Sequence, residues 1–366
     1  MKFLSDFEKS LADETDITDT SAPPRYWYSS GNYTVNRQMS GRFDQCYPQG
    51  RITGISGASG TGKSYLVTNA MKDAEKHDDW TLVIDSENAL DDNFVRKIGV
   101  DPTREKYIYK SVTTISHVTK VVSSFIKGYT AEYGTDPAAP RVLIVIDSLD
   151  MLSTDTEIEH FAKGDQSSDQ GLRAKQWKLR LRQFVQSIKN KNITMIVTGQ
   201  VYQATAQQIM EGEGKWIINQ AVRYALSHIM LLTKLKLKDE KTKAVEGVRI
   251  KVEAFKTRFT KPFQTTTVEV PYETGIDPLS GLLEVALSTG IVVKKGSRYS
   301  LVNDDKTWYS SVIGDYAEQI MSTIDAENIA ILVSDEIAGE EEAVSKSDTA
   351  KGTKQKRMAA VQDSDN

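Results

Sequence analysis

The run Gly57-Ala58-Ser59-Gly60-Thr61-Gly62-Lys63-Ser64 satisfies the pattern G-x-x-x-x-G-K-S/T. Glycines at this spacing let the backbone wrap closely around the β- and γ-phosphates of a nucleotide. Lys63 then supplies a point charge, and the Ser64 hydroxyl a ligand for a magnesium ion. Phosphoryl chemistry needs carboxylates besides. Asp147 closes the apolar run "RVLIVID", where a strand delivers an acid to the rim of a sheet, and there it supports the magnesium ion through a water or through Ser64. Glu87 follows the run "WTLVIDSE", and a glutamate at such a strand end can orient and deprotonate the water that attacks the γ-phosphate. Each acid has an ordinary alternative: a chance acid after a buried strand for Asp147, a solvent-exposed acid at a helix start for Glu87.

A phosphate loop works between a strand and a helix N-terminus, whose unpaired N–H groups and positive partial charge favour anions. Residues 51–56, "RITGIS", read as a short buried strand before the loop, and the segment after it opens a helix. Further apolar, β-branched runs, "WTLVIDSE", "KYIYK", "RVLIVIDSL" and "ITMIVTGQ", alternate with helical patterns. That alternation argues for an α/β fold with a mainly parallel central sheet covered on both faces. "HIMLLTKLKLK", "GVRIKVEAFK" and "TTTVEVPY" follow one another without long helices between and should extend the sheet with antiparallel strands. Residues 1–30 read as a short amphipathic helix (Phe3, Leu4, Phe7, Leu11) and a turn-rich linker. The core is expected over 31–275, a small C-terminal lobe over 276–337 and a disordered polar tail over 338–366.

The 366 residues are 39% hydrophobic, enough to bury one large core. "MKFLSDFEKSLADE" lacks the uninterrupted apolar region of a signal peptide, and no apolar run reaches bilayer-crossing length, so a soluble, cytoplasmic protein is expected. A lone cysteine, Cys46, excludes an internal disulfide; His77, His117, His160 and His228 lack ligand spacing, which argues against structural zinc. The net charge of −4 conceals an uneven distribution, with basic runs over 173–182, 234–238 and 256–261 and an acidic stretch over 321–345.

"VIDSENALDDNFVRKIGVD" and "NYTVNRQMSGRFDQCYPQGRITGISGASGTGKS" resemble the nucleotide-binding core of the RecA-type recombinases. "GIDPLSGLLEVALSTGIVVKKGSRYSL" is similar to the UvsX-type recombinases of tailed phages, and the resemblance spans about residues 31–302. It implies a RecA-like ATPase core with a short N-terminal helical arm and a small C-terminal lobe, using ATP and Mg2+. Such a protein forms a helical filament on single-stranded DNA, pairs it with homologous double-stranded DNA and exchanges strands. The implied settings are recombination, repair and recombination-dependent replication in the host cytoplasm, with a single-strand-binding protein and a mediator or loader as partners and no membrane. Position by position, Glu87 matches the catalytic glutamate, Asp91 and Phe94 the residues that contact and stack on adenine, and Gln200 the γ-phosphate sensor. Phe94 as a core residue and Gln200 as a strand-capping amide are the alternatives. Lys256 and Arg258, two apart on a strand and so on one face, match a basic pair that reaches the neighbouring subunit's ATP; a basic strand face binding nothing is the alternative.

Residues 153–172 read as a flexible polar loop running into a basic helix and resemble the family's first DNA-binding loop, with Arg173 and Lys175 placed to hold phosphates. The acids in it, Asp155, Glu157 and Glu159, should face away from the strand or order only on binding. Residues 201–222 resemble the second loop in position, although "EGEGKWIINQ" replaces the usual glycine- and threonine-rich centre. Gly212 and Gly214 give mobility there, Lys215 and Arg223 meet phosphate, and Trp216 is either a wedge among bases or a packing anchor. Rival readings are a ring-forming helicase or translocase on the same core, a non-hydrolysing ATP-liganded DNA-binding mediator, and a phosphate-loop kinase.

Overall fold

The computed structural model describes residues 23–165, 171–210, 214–238 and 245–326. The expected helix at residues 3–11, most of the acidic stretch and the polar tail lie outside the described residues. The chain divides into two compact units, one up to Ser280 and one from Gly281.

In the first unit, β1 (Trp27–Tyr28), α1 (Tyr33–Ser40) and β2 (Tyr47–Pro48) lead into the core. Strands β3 (Ile52–Gly57), β4 (Trp80–Asp85), β5 (Tyr107–Ser111), β6 (Val142–Asp147) and β7 (Ile193–Gly199) alternate with helices α2 (Lys63–Lys76), α3 (Asp92–Ile98), α4 (Ile115–Tyr133), α5 (Asp155–Ala162) and α6 (Leu172–Ile188). A hairpin of β8 (Val201–Gln203) and β9 (Trp216–Ile218), holding α7 (Ala206–Met210), is followed by α8 (Gln220–Ala225) and the long strands β10 (His228–Lys238), β11 (Val245–Lys256) and β12 (Thr265–Pro271). Among the described residues the main sheet has eight strands in the order β12-β11-β10-β3-β7-β6-β4-β5.

The fold is the expected α/β architecture, with one correction. β10 is not antiparallel on both sides: it pairs parallel to β3, with His228 opposite Thr53 and Leu232 opposite Gly57, and antiparallel to β11. The segment 200–227, with its hairpin and α8, is long enough to be a crossover, and a crossover returns the chain in the parallel sense. Among the described residues of the main sheet, the antiparallel pairings are β10 with β11 and β11 with β12.

Every residue of β6 and β7 is buried, as both faces of a covered parallel sheet demand, whereas β11 alternates buried and part-exposed positions. Side chains alternate between two cores. Ile144, Ile146, Met195 and Val197 meet Val118, Val122 and Ile126 of α4 and Trp177, Leu181, Phe184 and Ile188 of α6. Leu143, Val145, Ile196 and Ile55 meet Leu66, Val67, Ala70 and Met71 of α2. The buried stripe of α6 repeats at four- and three-residue steps and leaves its basic side chains outside.

The second unit carries α9 (Leu282–Ser288), the hairpin β13 (Val292–Lys295) and β14 (Arg298–Leu301), and a 3-10 segment (Ser310–Tyr316) running into α10 (Ala317–Ala326). Its buried residues include Leu282, Val285, Val292, Trp308, Ile320 and Ile324, with the Trp308 ring stacked on Tyr316 at 4.7 Å. No helix among the described residues is long and apolar enough to cross a membrane.

Candidate nucleotide site and nucleic-acid face

β3 ends in the glycine-rich loop and α2 starts at its last lysine, so the loop curls over a helix N-terminus. Gly62 has φ +86°, and a Cβ there would lie 2.2 Å from Ile250 Cδ1, so only glycine lets the loop sit on β11. The Lys63 ammonium donates to the carbonyls of Gly57 (2.9 Å) and Ala58 (3.1 Å). Burial pushes its pKa down, while Asp147, Glu87 and Asp150 pull it back up.

A cleft of about 490 Å³ opens above the loop, lined by Ser59 to Tyr65 and by Glu87, Phe94, Asp147, Gln200, Lys234, Ile250 and Tyr272, among others. The structure thus brings Lys63, Ser64, Glu87, Phe94, Asp147 and Gln200 together. Ser64 Oγ donates to Asp147 Oδ2 at 3.0 Å, and Thr198 Oγ1 donates to the other carboxylate oxygen. Burial raises the Asp147 pKa, the two hydroxyls lower it, and the nearby Asp85 and Glu87 raise it further. A buried carboxylate beside a hydroxyl is a hard-oxygen donor pair whose charge calls for a cation, which fits Mg2+ completed by phosphate and water oxygens. Among the described residues no cluster of three His, Cys, Asp or Glu side chains could hold a metal unaided.

Glu87 is held by its neighbours. β4 and β6 pair with Asp85 opposite Asp147, and in each the closing Asp is followed by Ser. The Asp85 carboxylate accepts from the N–H groups of Glu87 and Leu90, each at 2.9 Å, and from the Tyr109 hydroxyl. Ser86 Oγ donates to the Ser148 carbonyl (2.8 Å) and accepts from the Ser148 N–H (2.9 Å). Ser148 Oγ in turn donates to Glu87 Oε1 at 2.6 Å. Asp85, Ser86 and Ser148 are missed by reading the sequence linearly; the signal available was the repeated "IDS" at two strand ends. Lys234, whose ammonium donates to the Ser59 carbonyl at 3.0 Å, and Tyr272 are missed as well.

At the Phe94 end of the cleft, the Tyr65 and Phe94 rings meet edge-on at 5.3 Å. Asp91 does not line the cleft; its carboxylate caps α3 by accepting from the Phe94 N–H at 2.9 Å. Lys256 and Arg258 also lie outside the cleft, and they do not share a strand. β11 stops at Lys256 because the following turn is tied to α1, Thr257 and Thr260 donating to the carbonyls of Met39 (3.1 Å) and Gln38 (2.6 Å). Arg258 is exposed in that turn, and the Lys256 ammonium donates to the Arg223 carbonyl at 2.9 Å. Burial, then Arg258 and Arg223, lower the Lys256 pKa.

The first loop is not simply a loop. Asp155–Ala162 form α5, closed by a capping box in which Thr154 accepts from the Glu157 N–H (3.1 Å) and Glu157 from the Thr154 N–H (2.8 Å). Nor does Glu157 face away: it pairs with Arg173 at 2.8 Å, and Arg173 also donates to the Asp150 carbonyl at 3.2 Å. Asp155 and Glu159 are exposed, Asp155 accepting from the Ser116 hydroxyl. Lys175 is exposed on the first turn of α6. In the second loop, Trp216 sits in β9, half-buried and packed against the core, with the Lys215 ammonium 5.8 Å from its ring. Lys215 is exposed, and Arg223 lies on α8 over the Phe255 ring at 5.7 Å.

The chain is similar to the protein RecA of Acholeplasma laidlawii, 25% identical over 262 residues, covering 70% of this chain and 72% of that protein. It is likewise similar to the protein RecA of Leptospira meyeri, 27% identical over 256 residues, covering 69% of this chain and 61% of that protein. A crystal structure of the RadB recombinase aligns with a TM-score of 0.48 at 16% identity, over 68% of this chain and 98% of that one. The family model of the RecA N-terminal domain matches residues 26–277, and the chain belongs to that family.

Proposed function

We propose that this protein is an ATP-dependent DNA recombinase, of the kind found in tailed phages, that forms a helical filament on single-stranded DNA and exchanges it into homologous duplex. The observation that carries the reading is the convergence of the phosphate loop, Glu87 and Gln200 on one cleft, with Gln200 leading directly into the β8–β9 hairpin. Phosphate recognition falls to the loop N–H groups and Lys63, and the Phe94 side of the cleft suits a base. Ser64 and Asp147 would hold a magnesium ion, which would supply neutralisation of phosphate charge. Glu87, aimed by Ser148, accepts a proton from the attacking water as the new oxygen–phosphorus bond forms and the bond to the β–γ bridging oxygen breaks. Lys256 and Arg258, outside the chain's own cleft, act on the neighbour's ATP, which makes hydrolysis a property of the assembled filament. Arg173, Lys175 and Lys215 hold the phosphates of the single strand without reading bases.

ATP hydrolysis by the purified protein, with and without single-stranded DNA, tests this beside Lys63→Ala and Glu87→Gln. Strong DNA stimulation lost in both variants is expected, with nucleotide binding kept in Glu87→Gln. Hydrolysis indifferent to DNA overturns the reading, and closed rings instead of filaments in electron micrographs favour a helicase.

A further inference from the structure

From the last residue of β6 onward, Asp147 to Asp150 each engage a different part of the site. Asp147 takes Ser64, Ser148 takes Glu87, and Leu149 accepts the indole N–H of Trp177 on α6 at 3.1 Å. Asp150 makes the widest set of contacts. Its Oδ2 accepts from the Gln200 N–H at 2.5 Å, and its Oδ1 lies 3.3 Å from Asn219 Nδ2 and 3.5 Å from the Tyr202 hydroxyl. Asn219 is the residue that caps α8, its own Oδ1 accepting from the Ala221 N–H at 2.9 Å. One carboxylate therefore grips both ends of the second loop, and its backbone carbonyl takes Arg173, at the end of the first.

We propose that Asp150 is a positioning residue that couples the phosphate end of the cleft to the strand-binding loops. The proposal rests on the function argued above and adds to it the group through which nucleotide and DNA sites communicate. A carboxylate holding a backbone N–H and a side-chain amide makes charge-assisted bonds in a part-buried setting, stronger than neutral ones. Gln200 lines the cleft, and its main-chain N–H hangs on Asp150. Any displacement of Gln200 toward the phosphates is thereby felt at Tyr202 and Asn219, which set the base of the hairpin. No other carboxylate is hydrogen-bonded to both ends of this loop among the described residues.

The test measures coupling rather than activity. Single-stranded oligothymidine binding is followed by fluorescence anisotropy with the full chain in ADP and in a slowly hydrolysed ATP analogue, and the ratio of the two Kd values is the coupling factor. The wild type is expected to bind about tenfold or more tightly with the ATP analogue, within the usual range of such couplings. In Asp150→Ala that ratio falls to about one to two. Asp150→Asn keeps an acceptor for the Gln200 N–H but turns an amide toward Asn219, so its ratio is intermediate; it carries the test should the alanine variant fail to fold. A wild-type ratio retained in either folded variant overturns the proposal alone. A wild type with no nucleotide dependence overturns the function reading and the proposal with it.

Discussion

Replacing Glu157 by glutamine should strengthen binding to single-stranded DNA. Arg173 is proposed to hold a DNA phosphate, yet its guanidinium sits 2.8 Å from the Glu157 carboxylate, with side-chain exposures of 42% and 19%. Burial pushes the Glu157 carboxyl up, and the hydrogen bonds from Arg173 and Thr154 outweigh it, so the group stays below the usual range and charged at neutral pH. A partly exposed pair of this kind is worth on the order of 0.2 to 1 kcal/mol, and DNA must displace it to engage Arg173. Releasing that energy corresponds to a gain of up to about fivefold in affinity. Glutamine keeps an acceptor for the Thr154 N–H, so the capping box and α5 survive, and stability should change little. Anisotropy titrations of a labelled oligothymidine across salt concentrations provide the assay. Arg173→Gln alone should weaken binding and reduce the salt slope by about one. The double variant should match Arg173→Gln, since the glutamate acts only through the arginine. Unchanged or weaker binding by Glu157→Gln, while Arg173→Gln does weaken it, refutes the idea that the acid restrains the arginine. A double variant that gains as much as Glu157→Gln does shows general charge removal instead.

Three more outcomes follow from the site and its support. Ser148→Ala removes the 2.6 Å bond that orients Glu87 and should lower kcat about tenfold, while ATP affinity, measured by titration calorimetry, stays within about twofold; an unchanged kcat removes Ser148 from the mechanism. Gly62→Ala must adopt a left-handed φ and push Ile250 aside, so nucleotide affinity should fall at least about tenfold, and adding Ile250→Ala should recover only part of it because the backbone cost of about 1 to 2 kcal/mol remains. His228 is fully buried, and desolvation lowers its pKa to about 4, against only a hydrogen bond with the Cys46 carbonyl. The unfolded chain takes up that proton first as pH falls, so stability present above about pH 6.5 is lost toward pH 4, by about 3 kcal/mol. Melting temperatures of wild type and His228→Phe should therefore converge as the pH drops through this window, and parallel curves would refute the assignment.

The central strands β3, β4, β6 and β7 are legible in the sequence because burial on both faces makes them largely apolar runs, and so are the acids that follow or close them, Glu87 and Asp147. What is not legible depends on register. Asp85, Ser86 and Ser148 acquire their roles only when β4 lies beside β6 with the two Asp-Ser ends level. Lys234 and Tyr272 reach the cleft from the far half of the sheet, more than a hundred residues from the loop they serve. Thr154 and Glu157 carried the capping-box spacing in plain view; a polar, acidic composition favoured a loop, and local hydrogen bonding prevailed. Arg258 illustrates the converse, because an alternating pattern past the end of β11 cannot reveal that two threonines fasten the turn to a distant helix.

β11 has Val248 and Ile250 in the wall of the cleft and ends at Lys256. Six residues of extended chain span about 20 Å, shortened slightly by the bulge between Glu253 and Lys256. In the proposed filament this strand is a ruler laid between one ATP and the next: the wall of a subunit's own site and its contribution to its neighbour's are divisions on the same rigid edge. Inserting a single residue between Ile250 and Lys256 would turn the lysine to the opposite face of the sheet, leaving each site whole in itself but out of step with the one beside it.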